Sequence, residues 1–201
     1  MLVAVLAAAD ARAQSPAQTP PPGGDATQAA EALYNGQDLR FLQHMIVHHE
    51  QALAMSDLVP ERTQRQPFVR FARYIERGQA SEIAQMRALL DVAAARGRQL
   101  PEPHLDADPP MPGMLSSAEM RRLAAATGEE FERLWIEGMI FHHQGAIDMA
   151  QAQQLQQLES GRRPYGLHVL VEDIIVEQRA EIAKMRAWLD EWGIGSGSSG
   201  R

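Results

Sequence analysis

Residues 41–55 read FLQHMIVHHEQALAM, and residues 135–149 read WIEGMIFHHQGAIDM. Met45, His48, His49, Ala52 and Met55 return as Met139, His142, His143, Ala146 and Met149, always 94 residues later. A second block returns as well. QASEIAQM at 79–86 and QRAEIAKM at 178–185 lie 99 residues apart, so the second unit carries five more residues between its blocks. A chain that repeats two blocks in the same order is built from two copies of one supersecondary unit. Apolar residues recur in both at helical spacing, and no segment sustains the period-2 alternation of a strand. The expected fold class is all-α, an antiparallel four-helix bundle of two repeated hairpins.

Boundary signals divide the chain further. Asp38 is a suitable N-cap for the first helix, which should end before Pro60. The second should run from near Pro67, tolerated in a first turn, to Gly97. The third is expected from about Glu129 to Leu158, and the fourth from about Pro164 to Trp192, stopped by Gly193. Leu100 to Met114 holds five prolines and serves as the crossover between hairpins. A short helix is expected at Ser116 to Ala126, where Ser116 and Glu119 have capping-box spacing. The resulting division is hairpin one at 35–99, crossover at 100–128 and hairpin two at 129–193, together forming one domain.

The ends carry different signals. Leu2 to Ala9 is apolar, and Ala11-Arg12-Ala13 has a small-x-small cleavage pattern. Residues 1–13 therefore read as a secretory signal peptide, and the expected location is the periplasm or outside the cell. Residues 14–34 include SPAQTPPPGGD and read as a flexible leader, and residues 194–201 as a disordered tail. The net charge is −7 with no concentrated basic block, which excludes nucleic acid as an expected partner. No apolar run reaches the ~20 residues that span a bilayer. The chain has no cysteine, so neither a disulfide nor a thiolate site is available. Any bound metal must use His, Met, carboxylates or backbone oxygen.

Helical geometry sorts the side chains of the repeated blocks. Phe41, Leu42, Met45, His48, His49, Ala52 and Met55 share one apolar face, so both histidines of each pair point inward. Neighbouring residues diverge by about 100° around a helix, so one ion should not take both histidines of a pair. One is expected to face the metal and the other a neighbouring helix. Glu82 falls within the apolar stripe of Phe71, Ile75, Met86 and Leu89. Glu181 falls within that of Leu170, Ile174, Met185 and Trp188. A buried carboxylate needs a partner, and the facing histidines supply one. Imidazole and thioether donors together favour copper, Cu(I) above all, or silver. The candidate ligands are Met45, His48, His49, Met55, Met139, His142, His143 and Met149. Glu82 and Glu181 would hold the outer imidazole nitrogens. Met86, Met185, Met111 and Met114 are further candidate donors; the last two stand on a Met-Pro-Gly-Met loop that reads either as a mobile segment able to deliver an ion or as plain packing.

Plainer readings compete. Methionine is the usual gap-filler of helical cores, and Met86, Met185 and Met120 taken singly read as packing. His104 and His168 do not repeat and read as surface residues. A His-His doublet with Met three before and six after, written twice, is harder to attribute to packing. The carboxylate di-iron pattern requires Glu-x-x-His on two helices. This chain has Met45-x-x-His48 and Met139-x-x-His142 instead, which argues against oxygen activation. No Gly-rich phosphate loop and no activated nucleophile is present.

Phe41 to Met55, Gln79 to Met86, Met111-x-x-Met114-Leu115-Ser116 and Phe131 to Met149 together resemble the bacterial family catalogued as domain of unknown function 305, over about residues 35–192. That resemblance implies an exported, ferritin-like four-helix bundle, some of whose members are similar to copper-binding proteins of copper or silver tolerance. The expected function is binding of Cu(I) or Ag(I) for buffering, transfer or tolerance, with no catalytic residues. The expected partners are metal ions and a protein that donates or accepts them. Two alternatives stand beside it: a ferritin-like protein with iron or zinc on Glu82 and Glu181, and a metal-free interaction module.

Overall fold

The computed structural model describes residues 33–101 and 111–193. The signal-peptide and tail expectations, most of the leader, His104 and residues 102–110 of the crossover lie outside them. The described elements are α1 (Gly36–Asp57), α2 (Val59–Arg62), α3 (Gln66–Ala95), α4 (Ser117–Ala125), α5 (Gly128–Glu159) and α6 (Tyr165–Trp192). The four long helices are the ones the repeat called for.

One start differs from expectation. Asn35, not Asp38, caps α1; its side chain accepts from the amides of Gln37 and Asp38, while the Asp38 carboxylate accepts from the Asn35 amide. Asp38 thus completes a capping box from the fourth position and, being buried, accepts a bond from Gln153 of α5 at 2.6 Å. As expected, α1 ends before Pro60, at Asp57. Pro60 sits in the first turn of the further short helix α2, where a missing amide hydrogen costs nothing. Ser116 and Glu119 do form their reciprocal cap at the start of α4.

The apolar core divides into two clusters, one towards each end of the bundle. One joins Met45 and Leu42 of early α1 with Met86 and Leu90 of late α3, Ala146 and Ala150 of later α5, and Leu167 and Leu170 of early α6. The other joins Met55 of late α1 with Phe68 and Ile75 of early α3, Trp135 and Met139 of early α5, and Met185 and Trp188 of late α6. Hence α1 and α6 run one way and α3 and α5 the other, and each hairpin is antiparallel. The helices neighbour one another in the ring α1–α3–α6–α5, and the contact between α3 and α6 is the sparsest of the four.

Because α3 and α5 run in the same direction, the crossover must travel the length of the bundle. It does so along α1. Gln43 donates to the Pro101 carbonyl at 2.9 Å, and His48 meets Pro112. One turn further, Gln51 both donates to the Leu115 carbonyl at 2.9 Å and accepts from the Leu115 amide at 2.8 Å. Among the described residues no helix is long and apolar enough to cross a membrane.

Candidate metal centre

Between the two apolar clusters lies a polar belt. His48, His49, His142 and His143 are fully buried in it, with Gln79, Glu82, Gln178 and Glu181 beside them. The two histidines of each pair diverge, with ring centroids 6.4 Å apart in the first and 6.1 Å in the second. The outer member of each meets a carboxylate on its own hairpin partner. His49 Nε2 lies 2.8 Å from Glu82 Oε2, and His143 Nε2 lies 2.7 Å from Glu181 Oε2. The inner members meet each other: the rings of His48 and His142 are 3.9 Å apart, centroid to centroid.

Hydrogen bonding fixes the state of the inner pair. His48 Nε2 lies 2.8 Å from the Pro112 carbonyl, and His142 Nε2 lies 2.8 Å from the His48 carbonyl. A carbonyl only accepts, so both Nε2 atoms must carry the proton. Burial, reinforced by the neighbouring imidazoles, drives the His48 pKa from 6.5 to about 3 and holds that of His142 well below its ordinary value. Both rings are therefore neutral, with the lone pair on Nδ1. Neither Nδ1 has a hydrogen-bond partner among the described residues, and the same holds for Nδ1 of His49 and His143. A buried acceptor left unpaired is costly. A neutral imidazole held at one nitrogen by a carbonyl or carboxylate, with the other unpaired, is how proteins present a metal ligand.

Thioethers flank this belt. Met45 and Met86 are buried in one apolar cluster, with Met149 half-buried against it. Met55, Met139 and Met185 are buried in the other. Met120 packs against the same cluster, and His168 is half-buried. Among the described residues no three His, Asp or Glu side chains are grouped to hold an ion.

The Met111–Met114 segment takes the packed rather than the mobile of its two expected forms, because it is fastened. Met114 N bonds Met111 O at 3.2 Å, closing a turn with Gly113 at φ +77°. Pro at its second position and Gly with positive φ at its third give a type II turn. Gly113 lies directly on α5. A Cβ there would come within 2.7 Å of the His142 carbonyl, and one on Gly145 within 2.1 Å of the Pro112 carbonyl. The turn is thus a strap pressed over the inner histidines, with Met111 and Met114 half-buried on either side of Gly113. The residues that make it so, Gln51, Pro112, Gly113 and Gly145, escaped the sequence reading. A glycine in mid-helix where the first repeat has glutamine was the available signal.

The sequence profile described as Domain of unknown function (DUF305) matches residues 38–189. The chain belongs to the DUF305 family. Its solved relatives include a DUF305 fragment from Deinococcus radiodurans, 34% identical, with TM-score 0.65, covering 78% of this chain and 97% of that one. A DUF305 protein from Streptomyces coelicolor, proposed to be secreted, is 32% identical with TM-score 0.67, covering 83% and 98%. CopM in its Cu(I)-bound form is 28% identical with TM-score 0.58, covering 77% and 96%. CopM has also been solved with Cu(II), with silver and in the apo form. No curated protein matches the chain.

Proposed function

We propose that this DUF305 protein binds a soft monovalent metal ion, Cu(I) or Ag(I), at the polar belt and serves as a buffer or carrier for it. The carrying observation is the pair of buried, unpaired Nδ1 atoms of His48 and His142, each on a ring whose other nitrogen is already engaged. Two imidazoles with thioethers above and below make a donor set suited to Cu(I) and Ag(I) rather than to hard cations. Met45, Met55, Met139 and Met149 are the sulfur donors nearest in sequence, with Met86, Met185, Met111 and Met114 as further candidates. His49 and His143, held by Glu82 and Glu181, complete the belt. The metal-bound forms of CopM support the reading at the level of the family. We further infer that the folding domain is residues 35–193 and that the protein is exported. The N-terminal sequence and the proposed secretion of the Streptomyces relative support export.

Tag-free protein titrated anaerobically with Cu(I) against a competing chelator tests the reading. Tight binding is expected, with a loss of about 100-fold or more in the His48→Ala/His142→Ala double variant. Equal affinity in wild type and variant would overturn it. A second reading, iron or zinc on Glu82 and Glu181, draws on the unpartnered, buried Oε1 of Glu82. Metal analysis of the isolated protein separates the two.

A further inference from the structure

The strap covers the α1–α5 side of the histidine belt. The face opposite in the ring is the α3–α6 seam, the sparsest contact in the bundle. Two ladders at i, i+4, i+8 line this seam: Tyr74, Gly78 and Glu82 on α3, and Asp173, Glu177 and Glu181 on α6. Asp173, Glu177 and Tyr74 are exposed, whereas Glu82 and Glu181 are buried. Partial burial, then Glu82, Glu181 and Asp173, pushes the Glu177 carboxyl up, and Tyr74 is raised by its own burial and by Glu177, Glu181 and Glu82.

Like charges one turn apart on a helix destabilise it. Among the described residues neither Asp173 nor Glu177 is paired with a Lys or Arg.

Three further features mark the seam as a passage. Gly78 stands between Tyr74 and Glu82, and a Cβ there would meet nothing within 4 Å. A mid-helix glycine costs about 1 kcal/mol relative to alanine, and here no close backbone approach requires it. Gln79 and Gln178, one turn before Glu82 and Glu181 on the inner faces, are 2% and 1% exposed. Both amide atoms of each lack a hydrogen-bond partner among the described residues, as does Oε1 of Glu82. Five buried polar atoms of α3 and α6, all within one turn of the carboxylates that hold the outer histidines, thus have no partner among the described residues.

We propose that the α3–α6 seam is a cation port: Asp173 and Glu177 capture a small metal cation at its mouth. The gap at Gly78 admits the cation, and the buried oxygens of Gln79, Gln178 and Glu82 receive it before the histidines do. This inference rests on the imidazole reading for its destination, but capture at the mouth is testable without it.

Uptake of Ag⁺, added as the nitrate in chloride-free buffer, can be followed by stopped-flow tryptophan fluorescence. Trp135 donates to the Met55 carbonyl and so reports on the core. Gly78→Leu should plug the gap, and Asp173→Asn/Glu177→Gln should discharge the mouth. Each is expected to slow uptake roughly tenfold, with weaker salt dependence in the latter, while stoichiometry is unchanged. Asp57→Asn/Glu61→Gln, an equal charge change on exposed residues of the first hairpin, should leave the rate alone. Equal rates in wild type and both seam variants would overturn the port. A second measurement holds even if silver does not bind. Mn²⁺ added to the apo protein should broaden the side-chain amide signals of Gln79 and Gln178 first, and this should vanish in Asp173→Asn/Glu177→Gln. Broadening spread evenly over the acidic surface would contradict capture at the seam.

Discussion

Hairpin one and hairpin two begin from nearly the same words and diverge where the crossover touches them. His49 and His143 meet the same partner type at nearly the same distance. At the position two after each His-His doublet, however, Gln51 grips the strap through Leu115, while Gly145 vacates space for it. His48 bonds the strap, but His142 bonds the backbone of α1. Met55 is fully buried beside Gly138 and Leu115, whereas Met149 is only half-buried. One connection laid along one face of a bundle breaks the likeness of two hairpins. It does so at the histidine belt, giving a centre with one covered side and one acidic side.

The largest expected effect is one the hairpins share. His48 and His142 are neutral in the folded protein and would take up protons once unfolded. A base whose folded pKa is depressed leaves the unfolded state holding more protons below its ordinary pKa, so stability falls as pH falls. Apo protein should lose melting temperature progressively from about pH 6.5 towards pH 3, the two ends of the His48 shift. His48→Gln and His142→Gln should each flatten that slope, which thermal melts across the range will show.

Next in size is the methionine pair. Met55→Ala should cost ~2–5 kcal/mol, the range for emptying a sealed core site. Met149→Ala should cost clearly less, because part of its side chain already meets solvent. Chemical denaturation of both variants checks this, and equal losses would remove the asymmetry.

Smaller effects fall on the strap. Gly145→Ala forces a Cβ against Pro112 and should destabilise by ~1–3 kcal/mol, as overpacking does. Gln51→Ala, which gives up two hydrogen bonds to Leu115, should cost about 1–2 kcal/mol. Either should raise amide exchange at Met114 and Leu115, measured by hydrogen exchange.

How much of this was legible follows from what sequence encodes. The repeat and its apolar spacing gave four helices to within a few residues, because helical periodicity is a local property. The inward turn of both histidines and the placement of Glu82 and Glu181 in apolar stripes followed from the same periodicity. Asp38 was misplaced as a cap because Asn35 and Asp38 satisfy one motif from opposite ends, and spacing alone favoured the more acidic residue. The strap stayed open between mobile and packed because its five-proline neighbourhood resembles loose chain. What fastens it is remote: a glutamine on α1 and a glycine on α5. Gln79 and Gln178 follow Ile75 and Ile174 by four residues, so the same periodicity turns them inward, but periodicity does not tell whether a buried amide finds a partner.

The central claim is that His48 and His142 offer an unprotonated Nδ1 to a soft ion. Nitrogen-15 correlation spectra of the histidine rings, recorded before and after Ag⁺ addition, test it most directly. The apo spectrum should show both rings as the Nε2-protonated tautomer, and silver should shift the Nδ1 resonances of these two residues while Nε2 stays protonated. Rings protonated at Nδ1, or Nδ1 signals unmoved by saturating silver, would contradict the account.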